Sequence, residues 1–300
     1  MMTLSAPSPE LFGISVAIFT LGATILGIAV TLGKHWLDGG RPKVYLNAAI
    51  WEPNTTLTVN RSGAWEASFA DFEPVGEQHI ELAQLVVENP GRTAITVYTP
   101  SLSVKGTHKR DYKISPRSYA LRNFGADNST SATSLRIEPY DRVTFLFDYW
   151  PAIQQALADS KHGSIRLRGC VHTAGRTKPQ MSSSRRSWKI RVGDWTSQST
   201  KKEISPYTIL WQELFRANVT RESGDEEGDT FPGILLAVTL RKAMNRFTER
   251  PSAEEFEEAL SNAGIEYGSE RFQYLGIFYG RMDEILDRHQ GRLSPWRPNK

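Results

Sequence analysis

Cysteine is almost missing from this chain, which has only Cys170 among its 300 residues. One cysteine excludes an intramolecular disulfide and a four-cysteine zinc site. Neither sign of charge dominates, because the chain has 36 Lys and Arg and 33 Asp and Glu, which gives a formal net charge of +3. This charge is too small to indicate a nucleic-acid binder. An apolar fraction of 39% and a charged fraction of 23% exclude a wholly disordered chain and a multi-span membrane protein.

The common catalytic motifs are missing as well. There is no G-x-x-x-x-G-K-[ST] phosphate loop, no G-x-G-x-x-G, no H-E-x-x-H and no G-x-S-x-G elbow, and the six histidines do not cluster along the sequence. We therefore expect a non-catalytic protein without a cofactor or a metal. An enzyme whose site is assembled from distant residues stays open as an alternative.

One long hydrophobic run is present, at Leu11–Gly33, where twenty-three consecutive residues carry no charge. As a helix it would be about 35 Å long, enough to cross a hydrocarbon core of about 30 Å. The run predicts one transmembrane helix over residues 11–33, after a short tail over 1–10. A cleaved signal peptide is the alternative, but no Lys or Arg precedes the run and its apolar core is longer than the usual 7–15 residues.

Flanking charge predicts the orientation of this helix. Lys34, Arg41 and Lys43 follow the run, whereas the only charge before it is a glutamate. By the positive-inside tendency, we expect a single-pass protein of the inner membrane whose C-terminal part is cytoplasmic and whose first partner is the lipid bilayer. Within the run, small residues recur at every fourth position, a spacing that suits self-association of two helices. They are Ala23, Gly27 and Thr31.

Beyond the run, the hydrophobic period is two. In Ser164–Thr173, apolar residues alternate with polar ones such as Arg166 and Arg168. This alternation is typical of strands with one face on a core and one in water. Several such segments, separated by turns such as Asn89-Pro90-Gly91, predict an antiparallel β-sandwich over residues 43–196. A brief helix is expected within it at Pro151–Ser160.

The remaining divisions follow from composition. The expected order is a juxtamembrane linker over 34–42, the sandwich, a linker over 197–204, a small α-helical region over 205–290 and a flexible tail over 291–300. Within the helical region, Ser252 and Glu255 form a capping box that predicts a helix over Ala253–Asn262, closed by Gly264.

The stretch from Leu85 to Trp195 resembles the Ig-like sandwich domains of uncharacterised single-pass bacterial membrane proteins. The resemblance is carried by the strand–turn–strand Val87–Val97, by Leu135–Phe147 with its Pro139-Tyr140-Asp141 turn, and by the arginine-bearing strand Ile165–Thr173. It implies an Ig-like fold and a tethered topology, and it assigns no functional residue.

Charge is unevenly distributed between the two soluble parts. Nine Lys and Arg and no carboxylate lie from Lys161 to Val192, and a second basic stretch covers residues 105–122. Ser252–His289 holds nine carboxylates and three arginines. The two parts could dock on each other through complementary charge, or the basic face could bind anionic lipid headgroups. Nucleic acid is disfavoured, since basic and aromatic residues do not interleave. The candidate anion- or partner-binding residues are Arg166, Arg168, Arg185, Arg186, Lys189 and Arg191.

We therefore expect a membrane-anchored, non-catalytic binding or scaffolding protein that presents a β-sandwich at the cytoplasmic membrane face. The alternatives are a binder of anionic lipid headgroups or nucleic acid through a basic sheet face and, less favoured, a membrane-tethered enzyme with an assembled site. Cys170 and His172 share one face of a strand and could be a reactive thiol or half of a metal site. Two ligands are too few for zinc, so a covered structural cysteine is the simpler interpretation.

Overall fold

The computed structural model describes residues 9–38, 42–52, 56–66, 78–109, 112–119, 134–198, 203–218, 232–267 and 282–296. An N-terminal apolar helix is followed by two antiparallel sheets and then by several helices. The strands are β1 (Lys43–Glu52), β2 (Thr56–Asn60), β3 (Ile80–Glu88), β4 (Ile95–Lys105), β5 (Tyr112–Ile114), β6 (Arg117–Tyr119), β7 (Ser134–Ile137), β8 (Arg142–Asp148), β9 (Ser164–Thr173), β10 (Gln180–Met181) and β11 (Trp188–Arg191). The helices are α1 (Pro9–Asp38), α2 (Trp150–Ala158), α3 (Pro206–Asn218), α4 (Pro232–Met244), α5 (Ala253–Tyr267) and α6 (Met282–Asp287).

Helix α1 extends beyond the uncharged run at both ends. Its segment Val16–Lys34 has a mean hydropathy of 2.1, is long and apolar enough to cross a membrane, and has none of its residues buried against the rest of the protein. The hydroxyl of Thr31 donates to the carbonyl of Gly27 at 2.8 Å, so this polar group is satisfied within the helix. Self-association through Ala23, Gly27 and Thr31 stays a prediction.

The strands form two sheets that pack face to face. The central sheet has the order β2-β1-β3-β8-β6, and the outer sheet has the order β10-β9-β4-β5, with β11 paired to β9 and β7 paired to β4. Alternate residues of both sheets point into the space between them, as the period of two predicts. They include Leu46, Leu85, Phe145, Ile165, Leu167 and Trp188.

The central sheet is buried on both faces, whereas the sequence pattern predicts one face on the core and one in water. Its second face packs against the C-terminal helices, where the Trp51 and Phe215 rings lie 5.5 Å apart and Trp211 stacks on Phe215 at 5.3 Å. Ile80 and Leu82 belong to the same cluster. The helices therefore complete a second apolar core on a sheet that already forms the wall of the first.

The outer sheet contains one strand where the sequence pattern predicts two, over Thr93–Thr99 and Leu102–Lys105. Residues 95–99 and 102–105 both belong to β4, which carries an irregularity in its pairing between Tyr98 and Ser101, with Thr99 at a φ of 51°. The short strands β5, β6 and β10 were not anticipated, because two or three residues cannot display a period. The sequence pattern also predicts a strand over Ala64–Phe69, but residues 64–66 are not in a strand, and the rest of that segment lies outside the described residues.

The capping box is confirmed, since the backbone N–H of Ser252 donates to the Glu255 carboxylate at 2.9 Å. Helix α5 nevertheless runs past Gly264 to Tyr267. The apolar spacing also predicts a last helix from about Ser269 to His289. Of that segment the structure describes residues 282–289, and α6 ends at Asp287. Of the tail expected to be flexible over 291–300, residues 291–296 are described: Ile204 exchanges backbone hydrogen bonds with residues 292 and 294, and Trp296 is buried at 5.8 Å from the Tyr207 ring. Residues 297–300 lie outside the described residues.

Candidate binding surface

Two of the six predicted basic residues lie side by side on the outer sheet. Arg166 of β9 stands directly opposite Lys189 of β11. On its other side, Arg166 stands opposite Lys105 of β4. All three side chains are exposed, because their neighbours along each strand turn inward to the core. We call Lys105, Arg166 and Lys189 the basic row.

The basic row places three positive charges on three adjacent strands. Directly opposed residues in an antiparallel pair have Cβ atoms about 5 Å apart, and like charges at that spacing destabilise the pairing. Within the part of the chain that the structure describes, no carboxylate forms an ion pair with any of the three. An anion bound across the row would relieve this repulsion.

Arg168 has a different role from the basic row. Its guanidinium Nε donates to the carbonyl of Ser182 at 2.7 Å, and the Ser182 hydroxyl accepts from the Gly169 N–H at 3.0 Å. Arg168 therefore fastens the segment after β10 onto β9. It is half-buried and committed to a protein acceptor.

The other three predicted residues do not join the row. Arg191 is exposed, and its guanidinium lies 3.9 Å from the Glu66 carboxylate. Arg185 and Arg186 are exposed on a single 3-10 turn, Ser184–Arg186, that precedes β11. The charge of Arg186 acts on Tyr45 of the central sheet, whose pKa is raised overall because burial and Glu88 outweigh that arginine. Of the six residues, only Arg166 and Lys189 therefore stand directly opposite each other.

Cys170 and His172 share the outward face of β9 but have separate partners. Cys170 is fully buried, with its Sγ 3.0 Å from the Ser101 hydroxyl. Lys113 Nζ donates to His172 Nε2 at 2.9 Å, and the Tyr98 ring stacks on the imidazole at 5.6 Å. Burial, and then the Lys113 charge, lower the pKa of His172. The imidazole is therefore neutral near pH 7, with Nε2 as an acceptor.

A buried carboxylate, Glu81 of β3, closes one end of the sandwich. It accepts from the Trp150 indole N–H at 3.0 Å, the Tyr149 hydroxyl at 3.3 Å and the backbone N–H of Ser197 at 2.8 Å. The hydroxyls of Thr196 and Ser197 donate to it as well. Burial, and then the Glu81 charge, raise the pKa of Tyr149 well above its usual value. Glu81 is thus enclosed by donors and fastens the segment before the helices to the sheet.

The helices meet the sandwich through its central sheet. Besides the apolar cluster, the contact contains an ion pair in which Arg216 of α3 donates to Asp148 of β8 at 2.8 Å, with the two side chains 13% and 3% exposed. The basic row lies on the outer sheet, on the other side of the sandwich. The helical part therefore does pack on the sandwich, but through the apolar face of the central sheet, and its described residues do not cover the basic row.

Lys105 is the functional candidate that the sequence-based set omitted. It belongs to the second basic stretch, and its period-two position predicts an outward side chain. Its place beside Arg166 depends on the register between β4 and β9, which period alone does not determine. Among the described residues, no group of three His, Cys, Asp or Glu side chains is placed to hold a metal ion.

No protein-family model and no curated protein matches this chain. Its function is therefore inferred from its own residues.

Proposed function

We propose that this chain is a single-pass membrane protein that presents a non-catalytic binding body, an Ig-like sandwich with attached helices, at the cytoplasmic face of the inner membrane. The observation that carries the proposal is the apolar segment Val16–Lys34, none of which is buried by the protein itself. Leaving this much apolar surface in water is unfavourable by about 25 cal/mol per Å². A bilayer covers such a helix while its backbone hydrogen bonds stay internal.

The orientation rests on Lys34, Arg41 and Lys43, which follow the helix. It can be tested with a membrane-impermeant maleimide, because the only native cysteine, Cys170, is fully buried. On intact cells, we expect labelling of a Thr3→Cys variant and no labelling of Lys189→Cys until the membrane is opened. The reverse pattern contradicts the cytoplasmic orientation.

The anchor is tested separately by high-speed centrifugation and intact-mass analysis. We expect the full-length chain in the pellet, resistant to carbonate and released by detergent. Intact full-length chain in the supernatant overturns the anchor. A mass that lacks the hydrophobic run shows a cleaved signal peptide instead.

A second candidate function, binding of anionic lipid headgroups, is favoured by the register of the basic row. Each cation near an anionic surface contributes about 1 kcal/mol. From Asp38 to Lys43 the chain spans five Cα steps, at most about 18 Å, and packed sheets are about 10 Å apart. The outer sheet of an anchored body can therefore reach the headgroups if its strands lie flat on the membrane.

Acetylation kinetics test this second candidate on the full chain in vesicles. We expect an impermeant amine reagent to modify Lys105 and Lys189 several-fold more slowly in vesicles with anionic lipid than in phosphatidylcholine vesicles. The exposed Lys178 is the internal control and should react equally in both. Equal rates at all three lysines refute headgroup binding. Protection that requires added nucleic acid points to a nucleic-acid partner instead.

A further inference from the structure

Tyr140 occupies a strained and exposed backbone position. It is the third residue of the turn that joins β7 to β8, in which the Asp141 N–H donates to the Glu138 carbonyl at 3.2 Å. Pro139 precedes it, and its own φ is 62°. A type II turn has this pattern and favours glycine or asparagine at its third position. A bulky side chain there is a conformational outlier, and this residue is 72% exposed.

The turn is held in this conformation by Asn89. Its backbone N–H donates to the Asp141 carbonyl at 2.9 Å, and its carbonyl accepts from the Tyr140 N–H at 2.8 Å. Its side-chain amide lies within hydrogen-bond distance of the carbonyls of Thr93, Ile137 and Glu138, at 2.9–3.2 Å. The buried Asn89 thus joins the β3–β4 and β7–β8 turns into one rigid end of the sandwich, on which Tyr140 stands exposed.

This end of the sandwich is also where the chain arrives from α1. Lys43, the first residue of β1, stands opposite Glu88, which stands opposite Arg142. Since adjacent strands are about 4.8 Å apart, the β7–β8 turn lies about 10 Å from the start of β1. The chain from Asp38 to Lys43 reaches at most about 18 Å.

We propose that the Tyr140 turn docks into the headgroup region of the bilayer that α1 spans, and so holds this end of the sandwich on the membrane. The inference rests on the proposed membrane anchor. A tyrosine suits that location, because its ring is apolar and its hydroxyl reaches water and headgroups. The exposed Lys43, Arg92 and Arg142 are at the same end, where this docking would place them beside the lipid phosphates. Tethering raises the effective concentration, so one weak contact suffices.

This docking directs the basic row away from the bilayer. Arg166 is seven residues along β9 from Thr173, which pairs with Val97 close to the docked end. Seven residues of strand span about 23 Å, well beyond a Debye length of about 8 Å. Docking through Tyr140 and docking through the basic row are therefore alternatives that one experiment can separate.

The test uses the full chain in vesicles of phosphatidylcholine and anionic lipid that also contain a nitroxide-headgroup lipid, so that either kind of docking can occur. A fluorophore is attached at Thr93→Cys, in the neighbouring turn, or at Lys189→Cys, in the basic row, while Cys170 stays buried. Each labelled chain is compared with its Tyr140→Gly version, which removes the ring where glycine fits the backbone. Val192→Ser is the matched control, because Val192 is 62% exposed at the opposite end of the sandwich.

We expect strong quenching at Thr93→Cys, at least a twofold loss of it with Tyr140→Gly, no change with Val192→Ser, and weak quenching at Lys189→Cys throughout. A melting temperature no lower than that of the wild type shows that Tyr140→Gly keeps the fold. If the chain floats with the vesicles but Tyr140→Gly quenches like wild type, the docking is wrong and the anchor stands. Stronger quenching at Lys189→Cys than at Thr93→Cys shows that the chain docks through the basic row and not through Tyr140. A chain that does not float overturns the anchor, and the docking with it.

Discussion

At the scale of single residues, the buried Glu81 carboxylate depends on the hydrogen-bond donors that surround it. Both oxygens accept from donors of Trp150, Thr196 and Ser197, and the side chain is 4% exposed. In Glu81→Gln, an amide N–H₂ faces at least one of those donors, which leaves buried polar groups unpaired. We expect the free energy of unfolding to fall by about 3 kcal/mol in urea denaturation of the detergent-solubilised chain.

The control for Glu81 is Glu138→Gln. Glu138 is 59% exposed and pairs with Arg136, itself 69% exposed, at 2.8 Å. Exposed pairs of this kind contribute about 0–1 kcal/mol, so its loss should be small. Equal effects of the two substitutions show that Glu81 is not the buried acceptor described.

Tyr140 gives a prediction about backbone strain. At a φ of 62°, glycine carries no steric penalty, whereas alanine retains it. We expect Tyr140→Gly to be more stable than Tyr140→Ala by about 1 kcal/mol in thermal unfolding, which reverses the usual order. At the exposed Val192, whose φ is not positive, Val192→Ala should be more stable than Val192→Gly. If the glycine and alanine variants have the same order of stability at both positions, the backbone at Tyr140 is not strained.

At the scale of secondary-structure elements, the ion pair between Asp148 of β8 and Arg216 of α3 joins the helices to the central sheet. Asp148→Leu or Arg216→Met leaves one buried charge without its main partner, and we expect each to cost about 3 kcal/mol of unfolding free energy. The double variant Asp148→Leu/Arg216→Met should cost less than the sum, because no buried charge remains.

The matched pair for this cycle is Arg250–Asp283, which has the same 2.8 Å separation but side chains 39% and 79% exposed. Breaking it should change stability by less than about 1 kcal/mol. Additive effects of Asp148→Leu and Arg216→Met mean that the buried pair does not couple α3 to β8.

The elements also differ in how far the sequence predicts them. The period of two in β9 places its ends at the observed Ser164 and Thr173, because ten residues display the alternation fully. The second buried face of the central sheet was not predictable, since β8 offers the polar Thr144 and Asp148 to that face. The basic row was only partly predictable: alternation tells which face a lysine takes but not which residue stands opposite it, and that depends on register.

At the scale of the whole molecule, two histidines report whether the sandwich and the helices unfold together. Burial, then Lys113, lower the pKa of His172 on the outer sheet. Burial, then Arg292 and Arg288, lower the pKa of His289 after α6. The unfolded chain, with a histidine pKa near 6.5, then binds more protons than the folded one, so stability is highest above pH 6.5 and falls as the pH drops below it. His172→Asn and His289→Asn should each flatten this fall in thermal unfolding followed across that pH range.

Because the central sheet is a wall of both cores, we expect one thermal transition whose midpoint responds to both substitutions. Two transitions, one sensitive to His172→Asn and the other to His289→Asn, contradict this coupling. A single transition means that the helices and the sandwich unfold as one unit, since unfolding the helices exposes Trp51, Ile80 and Leu82 of the central sheet.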